Sequence, residues 1–269
     1  MRSVLRYPGA KWSVADWIVG MMPPHKSYLE PFFGSGAVFF EKNRAPIETV
    51  NDLDGEIVNL FRVIREQPQE LAAAVAMTPY SREEYDRVWE RLDRGEADDG
   101  DCVERARMTL LRYWQTYGSS ARRKSGWKND VAGREAAYAV RYWNALPDWI
   151  MVAALRLKEA QIEHLPALEL IRRFRSPEVL IYADPPYLLS TRTAAQYRQE
   201  MRDDEHAELL RLLLEHPGPV MLPCYDNPLY DAVLSGRWEK YRHPAQAANG
   251  AARVETLWVN FDVQMRISP

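Results

Sequence analysis

A carboxylate, two prolines and an aromatic ring stand together at Asp184, Pro185, Pro186 and Tyr187. Two adjacent prolines remove two backbone N–H donors, so the carbonyls of this segment stay available as hydrogen-bond acceptors. The tyrosine offers a flat face on which a base can stack. These groups suit a ligand with an exocyclic amine, such as a nucleobase. The alternative is a turn that ends a strand and buries its tyrosine in the core, which does not explain the acid before the prolines.

A second candidate site is the run Glu-Pro-Phe-Phe-Gly-Ser-Gly from Glu30 to Gly36. Its glycines let a ligand approach the backbone, and the amides of the helix that follows face the same place. The run lacks the third glycine of the dinucleotide fingerprint and has no Gly-Lys-Ser/Thr, so it gives little support to NAD or ATP binding. Asp52 follows the next predicted strand, where an acid would meet ribose hydroxyls. Its alternative role is to cap the next helix, which Asp54 can also do.

The composition excludes several classes of protein. Of the 269 residues, 46% are hydrophobic and 27% are charged, which is typical of a globular protein rather than a disordered one. No run of about 18 apolar residues is present, so we expect no membrane span. The N-terminus lacks the apolar stretch of a secretory signal. The two cysteines, Cys102 and Cys224, cannot form a disulfide framework, and the five histidines show no metal spacing. We therefore expect a cytoplasmic protein without a metal.

Short apolar runs alternate with helical patterns in the first and last thirds of the chain. This alternation predicts an α/β fold with a parallel sheet, and both candidate sites follow predicted strands. The pattern predicts strands at residues 27–29, 48–50, 179–183, 220–222 and 254–261, and a leucine-rich helix at 203–216.

The middle of the chain has a different pattern and nearly lacks strand signals. It predicts helices at about 81–93, 103–115 and 135–146, joined by polar loops. We expect the α/β pattern to return after about Met151. The sequence thus predicts an α/β domain of residues 1–66 and 150–269, interrupted by a helical insertion at 67–149.

Charge is segregated within this insertion although the net charge of the whole chain is only -3. Residues 66–101 carry eleven acids and four bases, whereas residues 103–143 carry nine bases and three acids. A basic stretch interleaved with aromatic residues is typical of a surface that contacts nucleic-acid phosphates, and a solvated helical face is the alternative. The candidate DNA-binding residues are Arg122, Arg123, Lys124 and Lys128.

Four motifs together resemble one known family, the Dam-like (class-alpha) DNA adenine methyltransferases, in their order and their gaps. The resemblance covers residues 7 to about 261, except for the insertion, which lacks the Asn/Phe/Arg-rich pattern of the GATC-recognising members. The motifs are Tyr7-Pro8-Gly9-Ala10-Lys11-Trp12, Glu30-Pro-Phe-Phe-Gly-Ser-Gly36, Asn51-Asp52-Leu53-Asp54 and Asp184-Pro-Pro-Tyr187.

The resemblance implies roles for individual residues. Tyr7 and Lys11 match the motif that holds the methionine part of S-adenosylmethionine, and Asp52 matches the acid that binds the cofactor ribose. The cofactor loop is matched by Glu30, Phe32, Gly34, Ser35 and Gly36, of which Glu30 replaces the aspartate of many relatives. Asp184, Pro185, Pro186 and Tyr187 match the catalytic motif around a flipped adenine, and Asp184 also borders the cofactor.

The resemblance also implies a fold and a function. It implies a Rossmann-like S-adenosylmethionine-dependent methyltransferase sheet whose helical insertion recognises the target in double-stranded DNA. We therefore expect methyl transfer to adenine N6 by direct attack from a flipped base. We also expect a monomer encoded by a bacterium, a phage or a prophage; whether a cognate restriction enzyme accompanies it stays open.

Three other hypotheses remain. The same acceptor-rich pocket would serve cytosine N4, and a catalytically silent DNA-binding homologue would keep the fold. The third is carbon-5 chemistry, because Pro223-Cys224 resembles the nucleophilic pair of cytosine carbon-5 methyltransferases. The pair lies after the Asp-Pro-Pro-Tyr motif, the wrong order for that chemistry.

Overall fold

The fold was analysed in a computed structural model of the protein. It describes residues 2–96, 100–118, 124–132, 137–191, 197–246 and 252–263. The chain divides into two compact units. The helical unit contains Met1–Ala10, Asp54–Ile162 and Gln196–Arg198, and the sheet unit contains Lys11–Leu53, Glu163–Ala195 and Gln199–Pro269. The functional boundaries at residues 66 and 150 stay a prediction, because the units are defined by packing alone.

Helices and strands alternate at both ends of the chain and helices alone fill the middle, as the sequence predicts. In chain order the elements are α1 (Ala15–Gly20), β1 (Ser27–Glu30), α2 (Ala37–Glu41), β2 (Ile47–Asn51), α3 (Gly55–Glu66), α4 (Pro68–Ala76), α5 (Arg82–Asp93), α6 (Cys102–Gln115), α7 (Tyr138–Leu157), β3 (Gln161–Glu163), α8 (Ala167–Arg173), β4 (Val179–Tyr182), α9 (Asp203–Leu214), β5 (Val220–Cys224), α10 (Pro228–Leu234), β6 (Glu239–Gln246) and β7 (Ala252–Val259).

The strands form one seven-stranded sheet in the order β3-β2-β1-β4-β5-β7-β6. Strand β1 pairs in parallel with β2 and β4, β4 pairs in parallel with β5, and β7 runs antiparallel to β5 and β6. The chain leaves β1 toward one edge and β4 toward the other, so the strand order reverses between them. Ligands of open α/β sheets bind beyond the carboxyl ends of the strands at such a point. The predicted Rossmann-like α/β fold is confirmed.

The central strands β1 and β4 are buried at every residue. The apolar run of β4 is typical of a parallel strand that is covered on both faces, whereas β1 also buries the polar residues Ser27 and Glu30. In the sheet unit, helix α9 packs its leucines against a core that contains Leu29, Ile181 and Leu222. The core therefore holds the ends of β1 and β4 in fixed positions.

Strand β6 and the continuation of α7 were not predicted. Strand β6 has mixed polar and charged residues and contains Pro244, which suits an edge strand but gives no alternating pattern. Helix α7 continues through Pro147 to Leu157, so the predicted end at residue 146 is wrong, and the α/β pattern returns after it with β3 and α8. The helix tolerates the proline because its buried side continues beyond it, at Ile150, Ala153, Ala154 and Leu157.

The helical unit contains α3 to α7, and two of its three predicted helices are confirmed. Helices α5 and α6 lie within one residue of the predicted ranges. Asp54 caps α3 by accepting the backbone N–H of Glu56 at 3.0 Å. Asp52 therefore does not serve as this cap.

Gly36, which precedes α2, lets the rings of Phe33 and Phe40 approach the backbone more closely than a residue with a Cβ would permit. Its φ is +66°, and an added Cβ would lie 2.5 Å from the ring of Phe33 and 2.9 Å from that of Phe40. Gly36→Ala should therefore lower the free energy of unfolding by about 2–4 kcal/mol.

The measurement is equilibrium denaturation by urea, with Gly20→Ala as the control. A Cβ at Gly20 would meet no atom within 4 Å, so the control should change stability by no more than about 1 kcal/mol. Equal stability of the two variants would contradict the packing described for Gly36.

Candidate active site

Two carboxylates lie at the carboxyl ends of neighbouring parallel strands. Glu30 is the last residue of β1, and Asp184 follows the end of β4 by two residues. The register pairs Leu29 of β1 with Ile181 of β4, which brings both acids to the same edge of the sheet. The candidate site is therefore built on two fully buried strands.

Lys11 holds the carboxylate of Asp184. The Lys11 Nζ atom lies 3.0 Å from Oδ2 of Asp184 and 4.7 Å from the ring centroid of Tyr187. The hydroxyl of Tyr182 donates to the same Oδ2 atom at 3.5 Å. Within the described ranges, Oδ1 of Asp184 makes no hydrogen bond, and the side chain is 18% exposed. One oxygen thus remains as an acceptor.

Burial raises the pKa of Asp184, although the ammonium of Lys11 acts in the opposite direction. Removal of a carboxylate from water disfavours its charged form, and the nearby lysine only partly compensates. The ionised form of Asp184 is therefore stabilised at this strand end mainly by the ammonium of Lys11.

Glu30 is more deeply buried than Asp184 and is 2% exposed. Burial raises its pKa to about 8; the hydroxyl of Tyr28, which donates to Oε2 at 2.7 Å, lowers it, and the charge of Asp184 raises it further. The loss of water and the negative charge of Asp184 both disfavour the carboxylate form of Glu30. Glu30 is thus a protonatable group inside the sheet edge.

The glycine loop after β1 is fixed by the end of β2. The N–H of Gly34 donates to Oδ2 of Asp52 at 2.8 Å, and the N–H of Phe33 donates to the carbonyl of Asn51 at 2.8 Å. Gly34 and Gly36 both have positive φ. The structure therefore brings the loop and the acid predicted for ribose binding together.

The ring of Tyr187 is fixed at its hydroxyl and at its edge. Its hydroxyl donates to Oε2 of Glu255 at 3.2 Å, and the ring of Tyr225 packs against it edge-on at 4.6 Å between centroids. Arg253 contacts Oε1 of Glu255 at 2.8 Å and donates to the Tyr225 hydroxyl. The sequence does not indicate this contact of Glu255, because 68 positions separate it from Tyr187 and no local spacing links the two.

Other predicted cofactor residues occupy two different units. In the sheet unit, Phe32 packs against the hydrophobic core and Ser35 is buried. Tyr7 belongs to the helical unit, where its ring lies 5.6 Å from that of Tyr113 and 5.7 Å from that of Tyr197. In the catalytic motif, Pro185 is buried and Pro186 is half-buried.

The four predicted DNA-binding residues differ in their surroundings. Arg122 and Arg123 lie outside the described residues. Lys124 is 40% exposed and pairs with Asp86 at 2.5 Å. Lys128 is only 7% exposed, and its Nζ lies 4.4 Å from the ring centroid of Tyr138. Lys124 is thus accessible to a large polyanion, whereas Lys128 faces the interior of the helical unit.

The described residues favour neither a thiolate at Cys224 nor a metal site. Cys224 is buried on β5, and burial raises the pKa of its thiol to about 12, which disfavours the thiolate. Among the described residues, no group of three His, Cys, Asp or Glu side chains is placed to hold a metal ion. In the same part of the chain, no helix is long and apolar enough to cross a membrane.

Comparison with known proteins identifies one family. A family model described as "D12 class N6 adenine-specific DNA methyltransferase" matches residues 7–246. The chain is 34% identical over 120 residues to "Type II methyltransferase M1.LlaDCHI" of Lactococcus lactis subsp. cremoris, covering 42% of this chain and 41% of that protein. It is 28% identical over 74 residues to "DNA N-6-adenine-methyltransferase" of Escherichia phage P1, covering 26% of this chain and 9% of that protein.

The matched regions thus span less than half the length of these two relatives. Among solved structures, "Putative methyltransferase yhhF from Escherichia coli" matches 97% of this chain and 90% of that chain. Its TM-score is 0.41 and its sequence identity is 11%, values too low to assign a function.

The buried Glu30 predicts a specific dependence of stability on pH. Because its folded pKa of about 8 lies above its ordinary value of 4.5, the native state binds its proton more tightly than the unfolded state does. Stability should be full below the ordinary pKa and should fall as pH rises to the folded pKa. The loss is a few kcal/mol, at about 1.4 kcal/mol per unit of pKa difference.

The measurement is urea denaturation from pH 5 to pH 8, for the native chain and for Glu30→Gln, which keeps an acceptor for Tyr28. The native chain should lose stability relative to this variant as pH rises. The control is Glu239→Gln, the same change at an exposed position of β6, whose curve should run parallel to that of the native chain. Parallel curves for Glu30→Gln and the native chain would contradict the shift.

Proposed function

The chain belongs to the D12 class N6 adenine-specific DNA methyltransferase family, and on this basis we propose that it methylates N6 of adenine in duplex DNA with S-adenosylmethionine as the donor. The observation that carries the proposal is Asp184, a partly exposed carboxylate at the switch point with one oxygen held by Lys11. The other oxygen is an acceptor for an exocyclic amine. Because the comparison covers only part of each relative, we propose the methyl-transfer activity alone.

The residues of the sheet unit fit the proposed cofactor by their chemistry. Asp52 is a half-buried acceptor for ribose hydroxyls, and the positive φ of Gly34 lets the loop backbone turn beside it. Glu30, Phe32, Ser35, Gly36 and Lys11 would line the same site, and Tyr7 is added on its motif match alone. When bound, S-adenosylmethionine supplies an electrophilic methyl group.

The catalytic motif would act on the amine of the target base. The amino nitrogen of adenine is a poor nucleophile because its lone pair is delocalised into the ring. Asp184 and the carbonyl of Pro185 would accept its two hydrogens, which localises the lone pair for attack on the methyl group. The new nitrogen–carbon bond would form as the carbon–sulfur bond of the donor breaks and its sulfur becomes a neutral thioether. The nitrogen would pass its surplus proton to the carboxylate of Asp184. Most of the acceleration would come from orientation and preorganised charge.

Tyr187 would provide the stacking face for a base that leaves the duplex. Its contacts with Glu255 and Tyr225 hold the ring before any ligand arrives, so no conformational entropy is lost when a base stacks. Stacking would offset part of the cost of extracting the base from the helix. The buried thiol of Cys224 argues against carbon-5 chemistry, which requires a thiolate.

The alternatives differ in their products. Transfer to cytosine N4 would use the same acceptors, because that amine also carries two hydrogens. A silent homologue would bind DNA and cofactor without turnover. Adenine is favoured because the family model that matches residues 7–246 is that of adenine-specific enzymes.

The decisive experiment is incubation with labelled S-adenosylmethionine and mixed-sequence duplex DNA, followed by digestion to nucleosides. The label should appear in N6-methyladenine. Asp184→Ala should lose at least ~3 kcal/mol of transition-state stabilisation, or more than about a hundredfold in rate, with its fold retained. The control is Asp16→Ala, the same change at an exposed position of α1, which should methylate normally.

Other results would contradict the proposal at different points. Label in N4-methylcytosine would replace adenine by cytosine, and label in 5-methylcytosine would overturn the mechanism. Normal turnover by a folded Asp184→Ala protein would remove the role of the acid.

The basic stretch of residues 103–143 would contact DNA phosphates through Arg122, Arg123 and Lys124. Replacement of all three by alanine should weaken duplex binding and reduce the slope of log affinity against log salt by up to about three units, because fewer counterions are released. The control replaces Arg172, Arg173 and Arg175, three exposed bases in and after α8, and removes the same charge. Titration of both variants over a range of salt tests the role: equal slopes would exclude a specific contribution from the segment.

A further inference from the structure

The helical unit contains a cavity that none of the proposed catalytic residues lines. Its volume is about 290 Å³, near the lower end of the range of about 300–1,000 Å³ for ligand pockets. Its wall is formed by N-terminal residues, by α6 and α7, and by the segment around residue 128. The size suits a single small ligand rather than an extended one.

Three cations line this cavity, namely Arg2, Arg6 and Lys128, and none of the residues that line it is an acid. In the described part of the chain, no carboxylate oxygen lies within 4 Å of their charged nitrogens. The position of Lys128 is notable because lysine is almost never buried without a partner. Its contact with the ring of Tyr138 compensates only part of the lost hydration. The cavity therefore favours an anion.

Aromatic rings form the rest of the wall. The rings of Trp114, Tyr142 and Trp149 lie 5.8–6.1 Å apart between centroids and are tilted against one another. The Cζ atom of Arg6 lies 5.7 Å from the centroid of Trp114. A flat ring of a ligand can pack on such a surface, and base–aromatic stacking of this kind tolerates any base.

Backbone contacts fix both sides of the cavity. The indole N–H of Trp114 donates to the carbonyl of Val4 at 2.8 Å, which holds the N-terminal segment on α6. The N–H of Lys128 donates to the carbonyl of Gln115 at 2.7 Å, and the hydroxyl of Tyr80 donates to the carbonyl of Lys128 at 2.6 Å. Trp114 and the backbone of Lys128 are thus held in place before a ligand binds.

We propose that this cavity is a nucleotide-binding subsite, in which a base packs on Tyr142 and Trp149 while its phosphate contacts Arg6 and Lys128. The joint presence of uncompensated cations and aromatic faces is the chemistry that a nucleoside phosphate requires. The source of the nucleotide is either a DNA strand or a free mononucleotide. The subsite does not depend on the proposed methyl transfer, since it lies in the helical unit and uses none of the catalytic residues.

The test is calorimetric titration of the full chain with thymidine 5′-monophosphate, thymidine and inorganic phosphate as separate probes. Thymine has no exocyclic amine, so binding does not report the Asp184 site. The monophosphate should bind at least about tenfold more tightly than either fragment, because only it engages both the rings and the cations. Arg6→Gln and Trp149→Leu should each weaken its binding by about tenfold or more.

The matched control is Arg82→Gln, which removes a cation that lies 4.9 Å from the ring centroid of Trp127, outside the cavity. It should bind the monophosphate like the native chain. Arg6 is half-exposed, so its variant should fold, and thermal unfolding monitored by circular dichroism verifies this. A short oligothymidylate then identifies the source: tighter binding than the monophosphate indicates a DNA strand, and equal binding indicates a free nucleotide.

Three results would overturn the proposal. They are no binding of the monophosphate by the native chain, equal binding of inorganic phosphate, and equal losses in the Arg6→Gln and Arg82→Gln variants. Failure of methylation in the labelled-cofactor experiment would leave this outcome unchanged, so the two proposals are tested separately.

Discussion

Parallel pairing of β1 with β4 is the constraint on which the candidate active site depends. The pairing places Glu30 and Asp184 at one edge of the sheet, and burial of both strands leaves these acids poorly hydrated. Burial raises the pKa of both acids; the charge of Asp184 raises that of Glu30 further, and the charge of Glu255 raises that of Asp184 further. Lys11 and the hydroxyl of Tyr28 are the groups that make this arrangement tolerable, and they come from segments on either side of α1.

At the same edge, Tyr187 is held by residues distant in sequence. Tyr187 meets Glu255 across 68 positions of the chain, and Arg253 links that carboxylate to Tyr225. Strand β7 brings Glu255 there because it runs antiparallel beside β5. Strand β7 therefore supports the Asp-Pro-Pro-Tyr motif that follows β4. A ring held in this way loses little further rotamer freedom when a ligand packs against it.

The helical unit separates two kinds of basic residue that look alike in sequence. Lys124 lies at the surface beside Asp86, while Lys128, only four positions later, is buried against Tyr138. The difference arises because residues 126–128 pair with the end of α6, through Trp127 and Thr116 as well as through Lys128 itself. The proposed phosphate contacts and the cavity of the helical unit thus involve different lysines of one basic stretch.

The sequence by itself determined the fold class, the family, and the position of the main motifs at strand ends. Local patterns were sufficient for this: a continuous apolar run indicated β4, and apolar spacing indicated α5 and α6. Local patterns did not predict the edge strand β6 or the continuation of α7 through Pro147, because packing against neighbouring elements outweighs local propensity there. Only the tertiary structure decided that Glu30 is held by Tyr28, that Glu255 holds Tyr187, and that Lys128 turns inward. These outcomes depend on distances between residues far apart in the chain and on the loss of water around charged groups, neither of which is encoded in local spacing.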